Sequence, residues 1–208
     1  MQNLTTKSVE ALARSLGESL LAANKKVASV ESCTGGGVAY AITEVAGSSQ
    51  WFEKSWVTYS NQAKHEEVGV SLATLDKFGA VSSEVVQEMA EGGLRKSGAN
   101  LCVAISGIAG PGGGTASKPV GLVWFAIAKT VDDRRANNGS SGILRANALT
   151  AEQKNKVDNL HSKNSLSNSN NLVQTRCFSR CFSGDRQQVR EQAVNLALKE
   201  LIVSLVNT

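Results

Sequence analysis

Residues Val27–Gly37, VASVESCTGGG, constrain the fold more than any other stretch. The apolar run Val27–Val30 has the character of a short strand buried on both faces. It leads directly into a polar group, Glu31-Ser32-Cys33-Thr34, and then into Gly35, Gly36 and Gly37. An apolar, helix-like run follows from Val38 to Val45. Strand, tight polar turn and helix start, in that order, form the opening unit of an α/β domain. The turn gathers a hydroxyl, a thiol and bare main-chain N–H groups. The first N–H groups of a helix lack intrahelical partners and carry the positive end of the dipole, so such a turn attracts negative charge. Glycine also lets a ligand approach the backbone. The turn is a candidate seat for a nucleophile, a phosphate or a developing oxyanion. A close-packed turn without chemistry is the plainer reading of the same residues.

The alternation continues along the chain. Thr5 or Thr6 is placed to cap a helix carrying Val9, Leu12, Leu16 and Leu20 at helical spacing, ending near Asn24. The second helix is expected from Thr34 to Val45. Ser55–Tyr59 alternates polar and apolar residues as a strand does, and Ser60-Asn61 caps a short helix, Gln62–Val68. A second short helix, Leu72–Phe78, ends at Gly79. Ser82 or Ser83 opens a longer one that ends at Gly98, with Val85, Met89 and Leu94 facing inward. Leu101–Ser106 is an apolar strand feeding the glycine-rich loop Gly107–Gly114, and Gly121–Ala128 is another buried strand. From Asp132 to about Thr175 the chain turns rich in Asn, Ser and Lys and poor in aromatics, the composition of a mobile insertion. His161 and a marginal helix at Ala151–Leu160 fall inside it. Cys177–Ser183 reads as a last strand, in which Arg-Cys-Phe-Ser occurs twice, so that a four-residue slip preserves the pattern. Gly184-Asp185-Arg186 opens a final helix with Val194, Leu198, Leu201 and Leu205 on its apolar stripe. These elements predict one three-layer α/β domain with a largely parallel sheet, spanning residues 1–208 and carrying an insertion at 132–175. Ligands of such sheets bind beyond the carboxyl ends of the strands. There the turns Ser32–Gly37, Tyr59–Lys64 and Ser106–Gly114 would converge.

A chain of 208 residues can bury a sizeable core unaided. Net charge is only +4, with no long Lys/Arg block, so neither nucleic acid nor membrane is expected as a partner. Small anionic ligands remain compatible. The amino terminus has no apolar core of a signal peptide, and no run approaches the length needed to span a bilayer. The four cysteines, Cys33, Cys102, Cys177 and Cys181, are scattered, which suits reduced thiols in the cytoplasm. Cys177 and Cys181 lack metal-ligand spacing and the only histidines are His65 and His161, so no metal is expected.

Two nucleophiles compete in the first turn. Ser32 is weak unless a base removes its proton, and Cys33 at a helix N-terminus would be activated by its position. Along a strand the two point to opposite faces, so only one can face the pocket. The base best placed for Ser32 is Lys64, with Tyr59 and Asn61 near enough to position it. His65 points about a quarter turn away from Lys64 in its helix. Lysine serves as a base only when burial or a neighbouring cation lowers its pKa; taken alone, Lys64 reads as a surface residue. The loop after Ser106, beginning at Gly107, lacks the Gly-Lys-Ser/Thr ending of a P-loop but can still offer N–H groups to an anion. Arg186 can clamp a phosphate or carboxylate with paired bonds, or form a surface ion pair.

Taken together, these pieces resemble the CinA-like C-terminal domain family. The match runs through Glu31-Ser32-Cys33-Thr34-Gly35-Gly36, Ala46-Gly47-Ser48-Ser49, Val57-Thr58-Tyr59-Ser60-Asn61 and Lys64. It continues through Gly79-Ala80-Val81-Ser82, Ser106-Gly107-Ile108-Ala109-Gly110-Pro111, Lys118-Pro119-Val120-Gly121 and Gly184-Asp185-Arg186. The resemblance implies a three-layer α/β/α sandwich with a mixed five-stranded sheet, often dimeric. It implies hydrolysis of the carboxamide of nicotinamide mononucleotide, giving nicotinate mononucleotide and ammonia in pyridine-nucleotide salvage, with no cofactor. It makes Ser32 the nucleophile and Lys64 the base, with Tyr59 and Arg186 also needed. N–H groups from Cys33, Thr34, Gly35 and Gly36 would then hold the oxyanion, and Arg186 or the Gly107–Gly114 loop the phosphate. A nucleotide-binding or interaction module disabled by the insertion is the alternative reading. Family members often carry an additional N-terminal nucleotide-hydrolysing domain, whose activity is not transferred to this sequence.

Overall fold

The computed structural model describes residues 8–131 and 172–206. The chain divides into two units, Met1–Thr130 with Val173–Thr208 and Val131–Leu172, and the architecture below is that of the first. The expected cap at Thr5 or Thr6, His161, the helix expected at 151–160 and the insertion as far as residue 171 lie outside the described residues.

Five strands form one sheet: β1 (Val27–Glu31), β2 (Phe52–Val57), β3 (Leu101–Gly107), β4 (Leu122–Val131) and β5 (Leu172–Cys181), in the order β2-β1-β3-β4-β5. β1 runs parallel to both β2 and β3, and β4 antiparallel to β3. The sheet is therefore mixed, as the resemblance implied. The helices are α1 (Val9–Ala22), α2 (Gly37–Thr43), α3 (Asn61–Val68), α4 (Leu72–Phe78), α5 (Ser83–Ser97) and α6 (Arg186–Val206).

Apolar alternation along the strands sorts the helices onto two faces. Val27, Cys33, Val103, Ile105 and Phe125 pack with α1, α2 and α6. Ala28, Val30, Cys102, Ala104 and Ala126 pack with α3, α4 and α5. Every residue of β1 is buried, which suits its largely apolar character before Glu31, Ser29 being the exception.

Several boundaries differ from expectation for identifiable reasons. The described cap of α1 is Ser8, whose Oγ accepts from Ala11 N–H at 3.2 Å. α2 starts at Gly37 rather than Thr34, because Gly35 and Gly36 take φ of +59° and +90° and cannot continue a right-handed helix. β2 lies three residues earlier at its start than the alternating pattern suggested, since pairing with β1 sets Val27 opposite Phe52 and Glu31 opposite Val57. β4 runs on to Val131, its ladder with β3 reaching Lys129 opposite Leu101. Leu172–Thr175, expected in the insertion, belong to β5. The repeated Arg-Cys-Phe-Ser sets Phe178 stacked on Phe125 at 5.1 Å, with Phe182 edge-on to the same ring at 6.3 Å. α6 begins as expected at Arg186. Asp185 Oδ1 accepts from Gln188 N–H while Gln188 Oε1 accepts from Asp185 N–H, both at 2.9 Å, a reciprocal capping box.

Candidate active site

The carboxyl ends of the parallel strands bring the turns of the sequence analysis together. Past Glu31 the chain keeps strand geometry for one more residue: Ser32 N–H donates to Ile105 C=O on β3 at 2.9 Å. That bond turns Ser32 toward the α3 face. α3 starts at Asn61, its N-cap Ser60 accepting through Oγ from Ala63 N–H at 3.0 Å, and this start places Lys64 one turn in, facing the sheet. Lys64 Nζ lies 3.1 Å from Ser32 Oγ and donates to Thr58 C=O at 2.7 Å.

Lys64 is 1% exposed and forms no pair with a carboxylate among the described residues. Burial without a counter-charge disfavours the ammonium and lowers its pKa from 10.5 to about 8. Lys64 is thus not the surface residue that its position alone suggested. An uncharged amine is accessible near neutral pH, beside a hydroxyl that is itself 8% exposed.

Cys33 turns the other way. Its side chain is part of the core formed with α1, α2 and α6, and burial pushes the thiol up to about 11. Any contact of Cys33 with a ligand in the turn goes through its main chain. Of the N–H groups from Cys33 to Gly36, that of Gly35 donates to Ser32 C=O at 3.1 Å. Those of Thr34 and Gly36 donate to no acceptor among the described residues, while the N–H of Cys33 faces its own Sγ. Thr34 Oγ1 and Thr58 Oγ1 are also buried without partners, a rare condition in an interior, and both belong to the segments that carry the pair.

The start of α6 closes the site. Arg186 donates to Tyr59 Oη at 3.0 Å and to Gly110 C=O at 2.8 Å, so it links the segment after β2 to the loop after β3. One helical turn later Arg190 donates to Thr34 C=O at 2.9 Å. Arg186, Tyr59 and the Ser32 turn are thereby brought together. Asn61 is exposed and its side chain bonds to no described residue. Ser106 Oγ is spent on Ala80 C=O at 2.7 Å. Gly107 serves close packing, since a Cβ there would meet Val123 Cγ2 at 2.7 Å. His65, the other candidate base, has Nδ1 2.8 Å from Val70 C=O.

Three residues escaped the sequence reading. Thr58 acts through its carbonyl, which no side-chain pattern reveals. Arg190 follows Arg186 by four residues, the helical spacing that puts two side chains on one face. Glu31 is fully buried, and its carboxylate accepts from Val38 and Ala39 N–H at the start of α2. The signal was present: an acidic residue ends a mostly apolar strand shortly before a helix that starts on glycine. A cavity of about 550 Å³ also opens between α1, α2 and α6. It is lined by Thr34, Gly37, Tyr40 and Arg190 among others, but by neither Ser32 nor Lys64.

The sequence profile of the CinA C-terminal domain matches residues 9–161. Nicotinamide-nucleotide amidohydrolase PncC of Enterobacter agglomerans is 42% identical over 203 residues, covering 96% of this chain and 99% of its own. The PncC of Escherichia coli K12 is 40% identical over 198 residues, 95% of each chain. Among solved structures, the competence/damage inducible protein CihA from Agrobacterium tumefaciens superposes with a TM-score of 0.71 at 34% identity, covering 98% of this chain and 99% of that one. The competence damage-inducible protein A from Klebsiella pneumoniae superposes with a TM-score of 0.73 at 30% identity, covering 96% and 98%.

Proposed function

The chain belongs to the CinA C-terminal domain family, and from that premise we propose that it is a nicotinamide-nucleotide amidohydrolase working through Ser32 and Lys64. It converts nicotinamide mononucleotide to nicotinate mononucleotide and ammonia, a step of pyridine-nucleotide salvage. The observation that carries the mechanism is the 3.1 Å approach of a buried lysine amine, with no carboxylate partner among the described residues, to the hydroxyl of Ser32.

In the neutral state Lys64 takes the Ser32 proton as Oγ attacks the carboxamide carbon. The tetrahedral intermediate carries its charge on the former carbonyl oxygen, and the N–H groups of Thr34 and Gly36, without an acceptor among the described residues, supply donors beside Ser32. Collapse expels the amine, which leaves as ammonia with the proton held by Lys64. The resulting ester on Ser32 is attacked by water, whose proton passes to Lys64. Collapse of the second intermediate frees the carboxylate and returns that proton to Ser32.

Arg186 supports the reading as the anchor for the substrate phosphate. Its bonds to Tyr59 and Gly110 use one N–H on each terminal nitrogen and leave further donors of the guanidinium for an anion. The same reading puts the protein in the cytoplasm as a homodimer, which fractionation and sedimentation would test. Among the described residues no helix is long and apolar enough to cross a membrane. The deciding experiment incubates purified protein with nicotinamide mononucleotide and follows ammonia and nicotinate mononucleotide together. Equal release of both supports the assignment, and binding without turnover replaces it by a nucleotide-binding module.

A further inference from the structure

Glu31 is a carboxylate with no exposed surface, and the mechanism above gives it no task. Oε2 accepts from Val38 N–H at 3.1 Å and Oε1 from Ala39 N–H at 3.0 Å. These are the second and third residues of α2, whose N-cap, Gly36, has no side chain to offer. Ser29 Oγ donates to Glu31 Oε1 at 3.3 Å and lies 2.7 Å from Ser55 Oγ on β2. A buried carboxylate is costly unless hydrogen-bonded, and here two helix N–H groups and a hydroxyl satisfy it.

Ser32 N–H on Ile105 C=O ties the first residue of the turn to β3, and Arg190 on Thr34 C=O ties its middle to α6; the bonds that reach α2 are local. Gly35 N–H donates to Ser32 C=O, Gly37 N–H to Thr34 C=O and Tyr40 N–H to Gly36 C=O. They tie the turn to itself and to its own helix. Glu31 differs in being the last residue of β1, paired with Val57 on one side and Ile105 on the other. Its side chain hydrogen-bonds the start of α2 to the end of β1. We propose that Glu31 is a positioning residue for the reaction: by gripping Val38 and Ala39 it brackets the Ser32–Gly36 turn and holds the N–H groups of Thr34 and Gly36, which have no acceptor among the described residues, in fixed relation to Ser32 Oγ. This rests on the amidohydrolase reading. It extends that reading by assigning the rigidity of the oxyanion donors to a side chain that never touches substrate. Misplacement by about 1 Å at a reacting centre costs on the order of 100-fold in rate.

The test compares wild type with Glu31→Gln, Ser29→Ala and the double variant. Glu31→Gln keeps the volume and one acceptor oxygen but turns an NH2 toward a helix N–H. Its kcat for ammonia release is expected to fall about 10- to 100-fold with KM within about threefold. The rise of rate with pH that deprotonation of Lys64 would give, levelling off near pH 8, stays in place, and amide hydrogen exchange at Val38 and Ala39 speeds by about tenfold or more. Ser29→Ala shows a smaller loss of the same kind and adds nothing in the Glu31→Gln background. Wild-type kcat in Glu31→Gln overturns the proposal, as does loss of the pH limb, which would make Glu31 a proton carrier. If Glu31→Gln does not fold, Ser29→Ala decides: faster exchange with lower kcat supports the proposal, and wild-type values of both overturn it. A wild type that releases no ammonia defeats the amidohydrolase reading alone, because amide exchange still reports the grip.

Discussion

Ser32 and Cys33 are adjacent in the chain and lie on opposite faces of the sheet. Ser32 meets Lys64 of α3, while Cys33 sits in the core shared by α1, α2 and α6. The placement sets Ser32, and not the Cys33 thiol, beside the amine of Lys64 in the proposed reaction. A thiol held at about 11 is protonated at neutral pH and stays inert. Ser32→Ala should reduce ammonia release by at least about 1000-fold. Cys33→Ala should keep activity within about threefold and cost about 1 kcal/mol of stability through the small core void. Kinetics and denaturant unfolding on the two variants check both halves.

Lys64 is expected to lower stability as well as serve catalysis. In the unfolded chain its amine holds a proton up to about 10.5, in the folded protein only to about 8. Between those values unfolding takes up a proton, so stability rises with pH across the window. Below about 8 the buried charge is carried at full cost, roughly 3 kcal/mol. Lys64→Met removes the charge but leaves the Thr58 carbonyl without its donor. At pH 7 it should be inactive and about 1–2 kcal/mol more stable than wild type. Its advantage should shrink as pH rises from 8 toward 10.5, which melts across that range would show.

Arg186 joins Tyr59 to Gly110 with two separate N–H donors, a geometry that a lysine cannot reproduce. Arg186→Lys should lower kcat/KM for nicotinamide mononucleotide about 10- to 100-fold, mostly through KM. Tyr59→Phe should show a smaller loss in the same direction. A fall in kcat alone would place Arg186 at the reacting centre rather than at the phosphate. Steady-state kinetics separates the two outcomes.

The placement of Lys64 depends on the packing of α3 against α5. A Cβ on Gly92 would stand 1.8 Å from the carbonyl oxygen of Val68, the last residue of α3. The obstacle is main chain and cannot rotate away. Gly92→Ala should therefore cost about 2–3 kcal/mol and reduce kcat by displacing the helix that carries the base. Thermal unfolding and ammonia release on this variant measure the two effects. A Cβ on Gly69 would meet nothing within 4 Å, but Gly69 takes φ of +76°, so replacing it would act through backbone strain instead.

Much of this architecture was legible in the sequence because local rules and the fold agree. Short apolar strands, Ser and Gly caps and helical apolar spacing located α4, α5 and α6 closely. Boundaries set by partners were less accessible. β2 follows the register of β1, and β4 the length of β3, which neither strand's own pattern records. The candidate site divides in the same way. Ser32, Lys64, Tyr59 and Arg186 could be named from the resemblance, and the structure brings them together. The burial of Lys64, and its meeting with Ser32 from the end of β1, arise only on folding. Glu31 and the Thr58 carbonyl act by holding other groups in place, and their residue types alone carry no such message.

The pH dependence of kcat/KM for ammonia release from nicotinamide mononucleotide tests the central claim most directly, since it reports ionisations of the free enzyme. An uncharged Lys64 as base requires a rate that rises about tenfold per pH unit and levels off near pH 8, with the limb abolished in Lys64→Met. A flat profile from pH 6 to 10, or a limb that persists without Lys64, would contradict it.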